Sequence, residues 1–199
     1  MKLLGSNRSP YFRKVRAAAI EKGVALDIVE VRAVAPEVAA ANPLAKIPTL
    51  IRDDGRPLYD SSVIVEYLDG VAAGPKLIPD DFAARIEVRR WEALASGVKD
   101  ATVAIHHDRR LPEGERKSAD FYARQQSKID AALATMERDL GDRDFCFGDS
   151  LTLADIACGC ALSYLDSNLA DMDWRKDHPA LKRLAERLAG RESSKAIAP

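Results

Sequence analysis

Cysteine is scarce, with three in 199 residues, at positions 146, 158 and 160. So small and odd a number, without a secretion signal, excludes a disulfide framework and fits buried free thiols in a reducing compartment. Cys158 and Cys160 stand two apart on a helical stretch, where side chains do not face each other, and they do not form a C-x-x-C redox pair. A surplus of either charge is also missing. Thirty Lys and Arg stand against 31 Asp and Glu, for a net charge of −1. That balance leaves no electrostatic footprint for generic nucleic-acid binding. No apolar run approaches the roughly 20 residues of a membrane span. The opening Met1-Lys2-Leu3-Leu4-Gly5-Ser6 is too short in apolar residues for a signal peptide. The expectation is a cytoplasmic protein with neither membrane nor nucleic acid as partner. Repeats and low-complexity tracts are absent too.

What remains is an ordinary globular composition, 47% hydrophobic and 31% charged. The chain has two textures. Up to about residue 75, short β-like runs alternate with helical ones. Lys2 to Gly5 reads as a strand, and Ser9-Pro10 opens a helix, since Ser caps well and Pro suits the first helical position. Gly23 ends that helix. Leu26 to Val31 reads as a second strand, which makes a βαβ unit. A short helix follows over Pro36 to Ala41, then a strand over Pro48 to Ile51. Asp54-Gly55 turns the chain into an antiparallel fourth strand, Arg56 to Tyr59, where Pro57 demands an edge. Asp60-Ser61-Ser62 caps a further helix. The order βαβ then ββα outlines a thioredoxin-like domain.

Gly70 to Asp80 reads as a linker. Beyond it, apolar spacing predicts helices to about Arg110, from Glu115 to Leu140, from Thr152 to Leu165 and from Pro179 to Leu188. Thr152 and Asp155 have the spacing of an acidic capping box, which is a folding device and not chemistry. The expected fold is an α/β thioredoxin-like N-terminal domain, residues 1–75, plus an all-α C-terminal domain, residues 80–199.

Four pieces stand in order: Ser9-Pro10-Tyr11-Phe12-Arg13-Lys14, then Asn42-Pro43-Leu44-Ala45-Lys46-Ile47-Pro48, then Asp60-Ser61, then Thr152-x-x-Asp155. With these the whole chain resembles a cytosolic glutathione S-transferase, most similar to the bacterial YibF-like serine-type members. The resemblance implies that glutathione is a co-substrate, with no metal. Its thiol must ionise near neutral pH to attack an electrophile.

Ser9 is then the catalytic residue, its hydroxyl donating to the thiolate at a helix N-terminus that adds positive potential. The same position suits a plain helix cap. Tyr11 is the competing donor. Ile47-Pro48 resembles the family's cis-proline turn, which leaves the Ile47 backbone free to pair with the cysteinyl residue of glutathione. Ser61 and the helix N–H groups would hold the γ-glutamyl carboxylate, and Asp60 the amino end. Lys46 reaches the glycyl carboxylate or is a solvated surface lysine. For the electrophile, the resemblance implies a pocket with Tyr11 and Phe12 from the first domain and His106, His107 and Arg110 from the second. Those last three equally read as a basic helix end suited to the dipole. Adjacent histidines on a helix diverge, so a metal site is not expected. A homodimer is implied by resemblance as well.

One departure narrows the chemistry. Glutaredoxins and cysteine-type transferases carry a reactive Cys where this chain has Ser9, and the first domain has no cysteine. That speaks against thiol–disulfide exchange. A non-catalytic module like the stringent starvation protein A-like proteins, or a glutathione-dependent peroxidase, dehalogenase or isomerase, remains as an alternative.

Overall fold

The computed structural model describes residues 1–198. It divides into two compact units. The first comprises Met1–Asp80 and the chain from Gly190 onward; the second is Asp81–Ala189.

The first unit is built on a four-stranded sheet in the order β2-β1-β3-β4. The strands are β1 (Lys2–Gly5), β2 (Asp27–Glu30), β3 (Thr49–Ile51) and β4 (Pro57–Leu58). β1 and β2 run parallel, with Lys2 opposite Asp27 and Gly5 opposite Glu30. A parallel pair needs a crossover, and helix α1 (Pro10–Glu21) supplies it. β3 returns antiparallel to β1, with Leu4 opposite Thr49. β4 pairs with β3 alone, which gives Pro57 the edge its missing N–H requires. β4 is two residues long rather than the four expected. Proline cannot extend the ladder, and the Arg52 amide donates to the Arg56 carbonyl at 3.1 Å to close the turn first.

α1 ends in a complete Schellman motif. The Val24 amide donates to Ala19 O at 2.8 Å and the Gly23 amide to Ile20 O at 3.0 Å, with Gly23 at φ +65°. α2 (Pro36–Ala41) is short, and α3 (Ser61–Val71) packs against α1. Leu3, Phe12, Val15, Leu50, Ile64, Val65 and Leu68 are fully buried and form the core.

A short helix, α8 (Glu192–Ala196), also packs on α1, so the chain's end lies with the first unit and not with the helices before it. Its anchors are polar. Arg191 makes two 2.7 Å hydrogen bonds to Glu21, Ser193 donates to the same carboxylate, and Asn7 donates to the Ala196 carbonyl at 3.3 Å.

In the second unit, α4 (Phe82–Arg109) packs on both α5 (Ala119–Leu140) and α6 (Leu153–Asn168), and α7 (Pro179–Ala189) packs on α5 and α6. α5 starts at Ala119 rather than Glu115. The Asp108 carboxylate accepts the Lys117 amide at 2.9 Å and the Tyr122 hydroxyl at 2.6 Å, which fixes the turn before Ser118 caps the helix. The Asp155 carboxylate is wholly buried and accepts the amides of Cys146 and Thr152 and the Thr152 hydroxyl, at 2.7, 2.8 and 3.0 Å. The box at α6 is therefore a folding device that also ties down the loop before it. Glu137 of α5 accepts the Ala180 and Leu181 amides at 2.8 and 2.9 Å, which caps α7 from outside. All three cysteines are buried and none forms a disulfide. Burial and the neighbouring Cys158 push the Cys146 thiol far up, so it stays protonated. Among the described residues no helix is long and apolar enough to cross a membrane.

Candidate functional site in the first unit

One end of the sheet collects the residues of interest. β1 runs out at Gly5 and the chain turns into α1. Since Leu4 faces Thr49 across β1–β3, the same register sets Pro48 opposite Gly5. Leu58 faces Leu50 across β3–β4, so that register continued sets Asp60 opposite Pro48. The start of α1, the turn before β3 and the start of α3 thus share one sheet end.

Ser9 is the N-cap of α1. Its amide donates to Ser6 O at 3.0 Å, and its hydroxyl oxygen accepts the Phe12 amide at 3.3 Å. A hydroxyl has one proton and two lone pairs. Capping uses a lone pair and leaves the proton to donate outward. The first N–H groups of α1 add positive potential at that spot.

Asp60 is the N-cap of α3, its Oδ1 accepting the Ser62 amide at 2.9 Å. Ser61, the first helical residue, is 4% exposed, and its hydroxyl has no hydrogen-bond partner among the described residues. Its oxygen is not among the buried partnerless atoms, so a hydroxyl open to the outside stands beside free helix N–H groups, a donor set for an anion. The two helix starts are tied together. Lys14 on α1 is fully buried, and its Nζ donates to Ser62 Oγ on α3 at 3.1 Å.

The Ile47–Pro48 bond is cis, as is the Tyr59–Asp60 bond. Asn42, 1% exposed, organises the turn leading to Pro48. Its Oδ1 accepts the Leu44 amide at 2.9 Å, and its Nδ2 donates to Lys46 O at 3.0 Å and Thr49 Oγ1 at 3.1 Å. The Thr49 hydroxyl donates to Lys46 O at 3.0 Å as well. With the Lys46 carbonyl held inward, the Ile47 amide and carbonyl take no internal hydrogen bond among the described residues. The Lys46 side chain is exposed.

Phe12 does not belong to a ligand surface, and the expectation that it lines an electrophile pocket is corrected. It has no exposed area, and its ring lies so close over Gly5 that a Cβ there would sit 2.3 Å from Cδ2. Successive residues of a helix point about 100° apart, so Phe12 turns inward while Tyr11, half-buried, stays at the surface.

His106, His107 and Arg110 lie in the second unit, at the end of α4. The two imidazoles meet edge to face, 5.8 Å between centroids. Burial, with the nearby positive charges of His107 and Arg110, lowers the His106 pKa from its ordinary 6.5. At neutral pH His106 is uncharged and offers no cation to an anionic co-substrate. The adjoining Arg109 is committed to Asp171 through two bonds of 3.0 and 3.1 Å.

Asn42 stands in the Asn42-to-Pro48 piece with no role legible from sequence, and the Lys14–Ser62 tie leaves no mark there at all. A buried polar residue beside Pro is a readable turn signal. A lysine at a helical position with apolar neighbours carries no mark of where its amine ends.

The family described as "Glutathione S-transferase, N-terminal domain" matches residues 3–76, and "Glutathione S-transferase, C-terminal domain" matches residues 119–187. The uncharacterised GST-like protein YibF of Escherichia coli K12 is 35% identical over 97% of this chain and 96% of its own length. A glutathione S-transferase from Methylobacillus flagellatus, solved with glutathione bound, is 49% identical, covers 100% of this chain and 98% of its own, and superposes with a TM-score of 0.95. One from Methylobacterium radiotolerans, in complex with glutathione sulfonate, is 40% identical over 100% and 94% of the two chains, with a TM-score of 0.93.

Proposed function

The chain belongs to the glutathione S-transferase family, and from that premise we propose that Ser9 holds glutathione as its thiolate for transfer to a small electrophile. The observation that carries this is the Ser9 hydroxyl, whose oxygen is engaged by the Phe12 amide while its proton remains free. The glutathione sulfonate bound by the relative from Methylobacterium radiotolerans has an anion at the sulfur position, the charge such a donor would meet. Ser61 and the first N–H groups of α3 take the γ-glutamyl carboxylate, Asp60 the amino group, and the Ile47 amide and carbonyl the cysteinyl residue beside Pro48. Lys46, exposed and two residues before that proline, takes the glycyl carboxylate.

In the reaction the thiol proton leaves to solvent, sulfur forms a bond to the electrophilic carbon, and the displaced group departs with its electron pair. Ser9 donates its hydrogen bond to sulfur throughout and lowers the thiol pKa. The protein acts as a homodimer in the cytoplasm, as the family resemblance implies.

The test is Ser9→Ala, expected to lower kcat about 10- to 1000-fold, the range for losing a group that stabilises charge, and to raise the pKa of bound glutathione. The lost cap costs only about 1 kcal/mol. Ser9→Asp separates the two roles, since Asp caps equally well but sets a negative charge against the thiolate. Turnover of either variant at the wild-type rate refutes the assignment.

A further inference from the structure

Beside Ser9 lies a cleft of about 290 Å³ lined by Ser6, Arg8, Glu30, Val31 and Arg32. All five belong to the first unit. They come from the ends of β1 and β2 and the segments that follow them, which the parallel pairing of Gly5 with Glu30 brings side by side. Ser6 is bound to the α1 turn from both sides. Its carbonyl accepts the Ser9 amide at 3.0 Å, and its hydroxyl oxygen accepts the Arg8 amide at 3.3 Å. The cleft therefore adjoins the residue proposed to hold the thiolate, on the β2 side, away from Pro48 and Asp60.

Its charge is unusual for this surface. Most arginines here are committed, Arg90 to Glu87 and Asp139, Arg109 to Asp171, Arg175 to Asp166, Arg187 to Asp144 and Arg191 to Glu21. Neither Arg8 nor Arg32 has an ion-pair or side-chain hydrogen-bond partner among the described residues, and Glu30 has none either. Two guanidiniums against one carboxylate leave the lining at +1, and the N-terminus of α1 adds to it. A guanidinium is a planar fork matched to a carboxylate. Val31 supplies an apolar wall for a short carbon chain.

We propose that this cleft takes the electrophile, and that Arg8 and Arg32 select one bearing a carboxylate close to the carbon that sulfur attacks. The inference rests on the glutathione-transfer reading and adds the substrate class to it. It does not use His106, which is uncharged at neutral pH.

The probes are glutathione, S-carbamidomethylglutathione and S-carboxymethylglutathione, the last two being the products of alkylation by iodoacetamide and iodoacetate. They differ by an amide against a carboxylate on the sulfur substituent. Calorimetric titration of the whole protein is expected to show the carboxymethyl conjugate binding about 5- to 50-fold more tightly than the carbamidomethyl one, the yield of one or two charge-assisted hydrogen bonds in a half-open site. Arg8→Gln and Arg32→Gln are each expected to cut that ratio several-fold, and together to bring it near one. The ratio is expected to shrink as salt rises, since the cleft is open to solvent. Equal affinities in the wild-type protein, or a ratio that survives in the double variant with a normal melting temperature, overturn the inference while leaving glutathione transfer standing. Failure of glutathione itself to bind overturns both, so the two readings fail in different arms of one experiment.

Discussion

A buried ion pair in the first unit offers the sharpest test of how the site is supported. Lys22 follows the last turn of α1, Asp69 lies in α3, and their side chains are 2% and 4% exposed with 3.0 Å between Nζ and Oδ1. Asp69 does more than pair with Lys22. Its Oδ1 accepts the Leu77 amide at 2.9 Å and its Oδ2 the Ile78 amide at 3.1 Å, while Lys22 Nζ also donates to Pro75 O at 2.7 Å. The pair thus clamps the segment after α3 onto both helices. Asp69→Asn leaves an ammonium buried with one carbonyl for company and turns an NH2 toward a backbone N–H. Breaking a buried pair by removing one partner costs about 3–5 kcal/mol. At about 2–4 °C per kcal/mol for a chain of this size, the melting temperature should fall by about 6–20 °C. Lys22→Met should cost less, because Asp69 keeps its two amide donors. In the double variant the losses should not add, and a coupling energy above about 1 kcal/mol is expected from the cycle. Differential scanning calorimetry on the four proteins reads it. Glutathione affinity below the melting range should hardly move, because Lys14 and Ser62 tie the helix starts independently. Additive losses, or an Asp69→Asn protein within about 1 kcal/mol of wild type, refute the reasoning.

Gly5→Ala should be severe. Gly5 sits at φ +152°, and the added Cβ would meet Phe12 at 2.3 Å from Cδ2, with the ring fully buried and unable to retreat. Overpacking and backbone strain together come to about 2–5 kcal/mol, to be read by urea unfolding; a loss under about 1 kcal/mol would show that the ring can move. Glu21 gives a pH dependence. Its two bonds from Arg191, with Ser193, hold the carboxyl below its ordinary 4.5 against the opposing effect of burial. A carboxyl whose folded pKa is depressed stabilises fully above its unfolded pKa and loses that contribution as pH falls through the folded value. The melting-temperature gap between wild type and Glu21→Gln should therefore be constant above about pH 5.5 and shrink steadily as the pH falls below 4.5 toward the lowered folded value; a gap that does not shrink at all on acidification would mean the charge is not what anchors α8.

Much of the fold was legible because local signals and tertiary needs agreed. Ser9-Pro10 reads as a helix start and is one, Asp54-Gly55 as a hairpin turn, Thr152-x-x-Asp155 as a capping box. Each is a short-range arrangement whose hydrogen bonds close within a few residues. What stayed hidden closes over long distances. The Glu21–Arg191 and Asn7–Ala196 contacts that return α8 to the first unit span 170 and 189 residues. Lys22–Asp69 and Lys14–Ser62 bury lysines that composition alone assigns to the surface. The cleft charge was hidden for the same reason, since parallel pairing of β1 with β2 is what sets Arg8 near Arg32.

The residues of the proposed site are marked in the sequence for a further reason, which concerns the two helix starts. A helix N-terminus exposes amides that must find acceptors, and Ser or Asp at the cap is the ordinary answer. Reading Ser9 and Asp60 as caps is correct. It is also incomplete, because a cap engages only one side of the group. At Ser9 the lone pair is taken and the proton is not. At α3 the Asp60 carboxylate satisfies the Ser62 amide and leaves the neighbouring Ser61 hydroxyl without a partner among the described residues. Neither hydroxyl is among the buried partnerless atoms, so both donors stay open to a partner from outside the chain. The two starts are tied together by one buried lysine and lie at the same end of the sheet. A ligand with a thiolate at one start and a carboxylate at the other would engage both, and glutathione, as proposed above, carries both groups.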